Sequence, residues 1–161
     1  TIEMMNSDAE GRLVLSDALS YIEKEYKPTV MIDLATLTGA CVVALGYWAT
    51  GMMGTDDKVC EELVKAGEET YERVWRLPLW DEYKDNIKSD VADVRNVGKG
   101  YDAGVIEGAW FLKHFVEKVP WVHLDIAGTA WMDSEKYYYK HGGTGTGVRL
   151  LVKWLEGKAK K

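Results

Sequence analysis

Val30-Met31-Ile32-Asp33-Leu34 is apolar except for Asp33, with Pro28 on one side and Thr36-Leu37-Thr38-Gly39 on the other. A run so short and so bounded suits a buried strand better than a helix. Upstream, Leu15, Ala18, Leu19, Ile22 and Tyr26 recur at helical spacing and stop before Lys27-Pro28, which predicts a helix from about Arg12 to Tyr26. Downstream, the small residues of Thr36 to Leu45 turn into a short helix, and Tyr47 to Met53 is a candidate strand despite Gly51. Asp56 to Arg73 follows as a polar helix with Val59, Leu63, Ala66 and Thr70 on one face. This alternation predicts an α/β fold, a three-layer sandwich around a largely parallel or mixed sheet covered on both faces.

Beyond Val74 the pattern weakens. Leu77-Pro78-Leu79 breaks it, Trp80 to Ile87 is expected to form a brief helix, and Ser89 to Gly100 is polar and irregular. A connection this long is more often functional than idle. Periodicity resumes in a helix from Gly104 to Lys118, a strand from Trp121 to Ile126 stopped by Ala127-Gly128, and a helix from Gly147 to Leu155. The lysine-rich tail, Lys158 to Lys161, is expected to fray.

The chain has 161 residues, 47% of them hydrophobic and 29% charged, which fits one domain with an adequate core and excludes disorder. Its net charge of −6 makes nucleic acid a poor partner. The longest apolar run, around Gly39 to Gly46, is far shorter than the ~20 residues that span a bilayer. Two cysteines, Cys41 in an apolar stretch and Cys60 in a charged one, form neither a disulfide framework nor a zinc motif, so a soluble protein in a reducing, cytoplasmic setting is expected.

The densest polar cluster is Asn6-Ser7-Asp8-Ala9-Glu10-Gly11-Arg12-Leu13. If Asp8 to Glu10 is extended, alternation puts both carboxylates on one side, where they repel unless protons or hard divalent cations lie between them. Arg12 would present a fixed guanidinium to an anion. The competing reading is a capping box, Ser7 with Glu10 three residues on, opening the helix that follows. Gly142-Gly143-Thr144-Gly145-Thr146-Gly147 invites a phosphate-binding reading, but it lacks the Gly-Lys-Ser/Thr ending and does not directly follow a strand. His114, His123 and His141 have no ligand spacing, and no serine nucleophile elbow occurs. Trp131 with Tyr137 to Tyr139 forms an aromatic stretch suited to a pocket rim or a subunit contact.

The octapeptide as a whole resembles the signature of the leucyl aminopeptidase (cytosol aminopeptidase) family, Asn-Thr-Asp-Ala-Glu-Gly-Arg-Leu, with Ser7 in place of Thr. The resemblance continues through Asp33-Leu34-Ala35-Thr36-Leu37-Thr38-Gly39-Ala40, Ser89-Asp90-Val91-Ala92-Asp93, His123-Leu124-Asp125-Ile126-Ala127-Gly128 and Gly143-Thr144-Gly145-Thr146-Gly147-Val148-Arg149. It implies a zinc-exopeptidase-like fold and a two-metal enzyme, with zinc or manganese, that removes N-terminal leucine-like residues from peptides. By that resemblance Asp8 and Glu10 are metal ligands, Glu10 bridging both ions, the main-chain carbonyl of Asp8 is a further ligand, and Arg12 holds a bicarbonate general base. Thr36, Leu37 and Gly39 correspond to one side of the substrate site, and Ala127 and Ala130 to the other pocket wall. Members commonly carry a larger residue near the Ala130 position, so a deeper pocket is expected here.

Full-length members also carry a metal-binding lysine, two metal-binding aspartates and a catalytic lysine in motifs resembling Gly-Lys-Gly-x-x-Phe-Asp-Ser-Gly-Gly and Asp-Met-Gly-Gly-Ala. Neither motif occurs here, and Val97-Gly98-Lys99-Gly100 is no substitute. The chain is therefore expected to be the C-terminal part of the catalytic domain, truncated on its N-terminal side and inactive alone. The resemblance implies a homo-oligomer, hexameric in the family. The alternative is a noncatalytic α/β module for oligomerisation or peptide binding.

Overall fold

The helix predicted from the apolar spacing forms as α1 (Gly11–Tyr26), and it ends where expected. Lys27 takes a left-handed conformation ahead of Pro28, and its N–H closes onto the Glu23 carbonyl. The structure, a computed structural model, describes residues 1–100 and 102–159. Among them β1 (Ile2–Glu3) precedes α1, and β2 (Met31–Ala35), α2 (Gly39–Leu45), β3 (Thr50–Gly54), α3 (Asp57–Thr70) and β4 (Val74–Arg76) follow it. Next come a 3-10 helix over Asp81–Ile87, β5 (Val94–Arg95), α4 (Gly104–Lys113), β6 (Trp121–Asp125), β7 (Trp131–Met132), β8 (Gly142–Gly143) and α5 (Val148–Ala159). Lys160 and Lys161, the end of the tail expected to fray, lie outside the described residues.

The central sheet has the order β2-β6-β3-β4. β2 and β6 run parallel with Met31 opposite Trp121, β3 and β4 run parallel, and β3 joins β6 antiparallel. The sheet is therefore mixed. Alternation along each strand sends Met31, Met53 and Trp121 into a core built with Leu19, Cys41, Ala109 and Phe111 of α1, α2 and α4. Met52, Val122 and Leu124 face the opposite way, into a core with Cys60, Leu63, Leu150 and Trp154 of α3 and α5. Helices thus cover both faces of the sheet.

Several boundaries differ from the sequence reading; α5 runs on to Ala159 instead of ending at Leu155, so Lys158, expected to fray, is helical. α3 stops at Thr70 because Tyr71 adopts a left-handed conformation, φ 61°, which frees Val74 to Arg76 to form β4. α4 ends at Lys113 because the Glu23 carboxylate accepts the backbone N–H groups of Glu117, Lys118 and Val119, diverting them from a further helical turn. The strand expected from Tyr47 begins at Thr50 and runs to Gly54.

Gly54 shows why a glycine is retained inside a fully buried strand. A Cβ there would lie 2.6 Å from Cys60 Sγ, 2.9 Å from Val122 Cγ2 and 3.2 Å from the Trp121 carbonyl oxygen. Overpacking of this kind costs about 1–3 kcal/mol. Gly54→Ala is accordingly expected to lower the unfolding free energy by about that amount in a urea titration, with an unchanged denaturant slope; wild-type stability would refute the close approach.

Candidate active site

The acidic octapeptide adopts neither form anticipated for it. Ser7–Ala9 is a 3-10 turn, so Asp8 and Glu10 do not sit on one side of an extended segment. The turn is capped by Asn6, whose side chain accepts the Asp8 N–H at 2.9 Å. Glu10 occupies the position before α1 with helical backbone angles and no side-chain cap, and its carbonyl accepts from Leu13 and Val14. The Ser7–Glu10 capping box is therefore absent. Asp8 and Glu10 are both exposed, and their carboxylates have no hydrogen bond or ion pair among the described residues.

What holds this turn is a residue the sequence reading passed over. Asn96 is fully buried; its Oδ1 accepts the N–H groups of Met5 at 2.8 Å and Asn6 at 3.3 Å, and its Nδ2 donates to the Asn6 carbonyl at 2.6 Å. β1 and β5 pair in parallel beside it, Ile2 with Val94 and Glu3 with Arg95. The Asn96 carbonyl in turn accepts Arg12 Nη1 at 2.6 Å.

Arg12 points inward rather than toward solvent, with only 8% of its surface exposed. Burial pushes its guanidinium below its ordinary pKa, while the charges of Asp125 and Glu107 act in the opposite direction. Glu107 is itself pushed up by burial, against the stabilising effects of Asn86 and Arg12. Gly108 of α4 marks where these elements meet. A Cβ there would stand 3.0 Å from Thr38 Cγ2, 3.1 Å from Leu37 Cδ2 and 3.6 Å from Arg12 Nη2.

Leu37 and Ala127, anticipated on opposite walls, are joined by one carboxylate. Asp125 Oδ1 accepts the Leu37 N–H at 3.2 Å and the Ala127 N–H at 3.1 Å, while Oδ2 accepts the Thr38 hydroxyl at 2.7 Å. Thr36 and Gly39 are exposed beside them. Ala130 is half-buried, its N–H bonded to the Ile126 carbonyl and its own carbonyl accepting from Thr144. Arg12, Leu37 and Ala127 thus share one polar centre around Asp125, and among the described residues no hydrogen bond or ion pair links the Asp8 or Glu10 carboxylate to it.

The glycine-rich loop is no anion site. Glu72, buried, accepts the N–H groups of Gly147 at 3.1 Å and Leu150 at 2.8 Å on Oε2, and Arg149 Nε on Oε1. The N-terminus of α5 is thereby already occupied by the protein's own carboxylate. Tyr138 and Tyr139 accept from Arg149 Nη2, and Trp48 packs edge-on against Tyr137. These aromatic residues and Thr129 line a cavity of about 230 Å³ that includes none of Thr36, Leu37, Gly39, Ala127 or Ala130.

Of the histidines, His123 is buried with Nδ1 2.5 Å from Asp33 Oδ1, and His114 and His141 are exposed. Both cysteines are buried free thiols. Burial pushes the Cys41 thiol up to about 11, which makes it a poor nucleophile.

The family model for the cytosol aminopeptidase family, catalytic domain, matches residues 1–152. The chain belongs to the cytosol aminopeptidase family. A probable cytosol aminopeptidase of Geobacter sp. (strain M21) is 56% identical over 158 residues, covering 98% of this chain and 32% of the relative. Probable cytosol aminopeptidases of Cenarchaeum symbiosum (strain A) and Nitrosomonas europaea are 54% and 52% identical, covering 99% and 100% of this chain and 33% and 31% of the relatives. The chain spans about a third of the length of these curated cytosol aminopeptidases. No helix among the described residues is long and apolar enough to cross a membrane.

Proposed function

We propose that this chain forms one side of the catalytic site of a metal-dependent aminopeptidase that releases leucine-like residues from peptides with a free N-terminus. It supplies the C-terminal part of a zinc-exopeptidase-like catalytic domain. Asp8 and Glu10 would be its ligands for two zinc or manganese ions, with Glu10 shared between them; Arg12 would be the catalytic residue, and Thr36, Leu37, Gly39, Ala127 and Ala130 would line the substrate pocket. The observation that carries this reading is the pair of exposed carboxylates, unused by the fold, on a turn anchored by the buried Asn96.

Carboxylate oxygens suit hard or borderline divalent ions. Their number falls short, since a zinc site takes about four ligands, and among the described residues no three His, Cys, Asp or Glu gather to hold an ion. The remaining donors come from outside these residues, and the chain alone is inactive. Paired divalent ions, when bound, lower the pKa of a shared water and polarise the scissile carbonyl. A bicarbonate at Arg12 would meet a guanidinium already spending one Nη1 hydrogen on the Asn96 carbonyl and flanked by the charges of Asp125 and Glu107, so it would be held by the remaining N–H groups.

The working protein is a cytoplasmic homo-oligomer, a hexamer as in the family, with Trp48, Trp131 and Tyr137 among its exposed aromatic residues available for subunit contacts. The test is leucine p-nitroanilide hydrolysis with manganese or zinc, by the full-length polypeptide and by this chain alone. Metal-dependent turnover by the former and none by the latter is expected. Turnover by neither would establish the noncatalytic module instead, and turnover by this chain alone would overturn the split site.

A further inference from the structure

We infer that Asp125 is a positioning residue that sets the spacing between the two walls of the substrate pocket. This rests on the pocket reading above and deepens it, because nothing in that reading gives Asp125 a task. The residue ends β6, fully buried, on the sheet face that carries Trp121 and His123. An ionised carboxylate accepts hydrogen bonds and donates none, and burying one is costly unless its oxygens are engaged.

Asp125 is engaged by three donors from two separate segments: Leu37 N–H and the Thr38 hydroxyl after β2, and Ala127 N–H after β6. The strand register alone places these segments side by side only as far as Ala35 opposite Asp125. One more backbone bond, from the Ile126 N–H to the Ala35 carbonyl at 2.9 Å, continues the pairing; past it, the Asp125 carboxylate ties Leu37 to Ala127. Thr38 extends the same network, since its Oγ1 also accepts the Cys41 N–H at 3.1 Å and so fixes the start of α2. Arg12 lies close enough to interact with the Asp125 charge. One side chain therefore sets where Leu37, Thr38 and Ala127 stand relative to one another and to Arg12.

Removing such a group acts on substrate fit before it acts on chemistry. Asp125→Ala deletes every bond at once and risks the fold, so Asp125→Asn and Thr38→Val are the working variants in the full-length, metal-loaded polypeptide. The amide keeps one acceptor oxygen but presents a donor to the Thr38 hydroxyl; the valine removes that hydroxyl and leaves the carboxylate charged beside Arg12. Leu63→Ala, in the core on the opposite sheet face, controls for lost stability.

Both working variants are expected to raise KM for leucine p-nitroanilide about tenfold with kcat changed far less, and to flatten the preference for leucine over alanine anilide. Thr38→Ser is expected to restore both, and Leu63→Ala to leave KM alone. Hydrogen exchange at the Leu37 and Ala127 amides, read in the same proteins, should quicken in Asp125→Asn. Unchanged exchange and unchanged KM would overturn the positioning role. Faster exchange with unchanged KM would retain the tie between the loops but refute the pocket assignment, and so overturn the inference. Absence of aminopeptidase turnover in the unmutated polypeptide would instead remove the functional reading on which it stands.

Discussion

Glu10→Ala in the full-length polypeptide is expected to cut metal-dependent leucine p-nitroanilide hydrolysis by more than about 100-fold, since even indirect metal partners cost about 10–100-fold when lost. Asp8→Ala should behave alike. Neither change should move the thermal melt of the metal-free polypeptide appreciably, because both carboxylates are exposed and bond to nothing among the described residues. That combination separates a ligand from a helix cap. If Ser7 and Glu10 formed a capping box, removing either side chain would cost roughly 0.5–2 kcal/mol of stability, whereas Ser7→Ala here should be neutral. Metal content of the purified variants, by elemental analysis, gives a readout independent of turnover. Full metal occupancy and activity in Glu10→Ala would overturn the assignment.

Trp121→Ala is expected to have the largest effect on stability. Trp121 is fully buried in the core beneath α1, α2 and α4, stacks on His123, and donates from Nε1 to Asp33 Oδ2 at 2.7 Å. Replacing a core tryptophan by alanine typically costs about 3–5 kcal/mol through lost burial and the cavity left behind. The change also strips a donor from a buried carboxylate, which adds about 1–3 kcal/mol. Against a usual total of about 5–15 kcal/mol, that approaches the whole stability of a domain. Urea titration of the chain should show the transition moving to much lower denaturant or disappearing. Trp121→Phe, which fills most of the space but cannot donate, should fall between, and near-wild-type stability for the alanine variant would refute the burial.

Most of the fold was legible because its longer elements carry their own period. α1 shows its apolar spacing and its proline stop, and β2 and β6 are short apolar runs between turn residues. The sheet's order was less accessible, since nothing in Thr50 to Gly54 says that β3 will run antiparallel to β6 while β2 runs parallel to it. β1 and β5 are two residues each and stand 92 positions apart, too short for any periodicity to register. The site divided along the same line. Asp8, Glu10 and Arg12 were visible as a polar cluster, but their conformation was not, because Asn96 sets the turn from far along the chain. Asp125 had only a faint signal, a carboxylate near the end of an apolar run, and Glu72 had none. Most of their partners are backbone N–H groups, which leave no trace in side-chain identity.

The bond from Met5 to Asn96 closes a span of 91 residues. A loop of that size is entropically expensive to close, and the expense grows only slowly with length, so neither shortening nor padding the intervening segments would change it much. Beyond its local bonds from Asp8 and Ala9 to Asn6, the acidic turn therefore takes its placement from the completed domain. During synthesis it leaves the ribosome long before its anchor exists, and in refolding it belongs among the late, nonlocal contacts. For this protein, the geometry of the acidic turn is a consequence of folding nearly to completion.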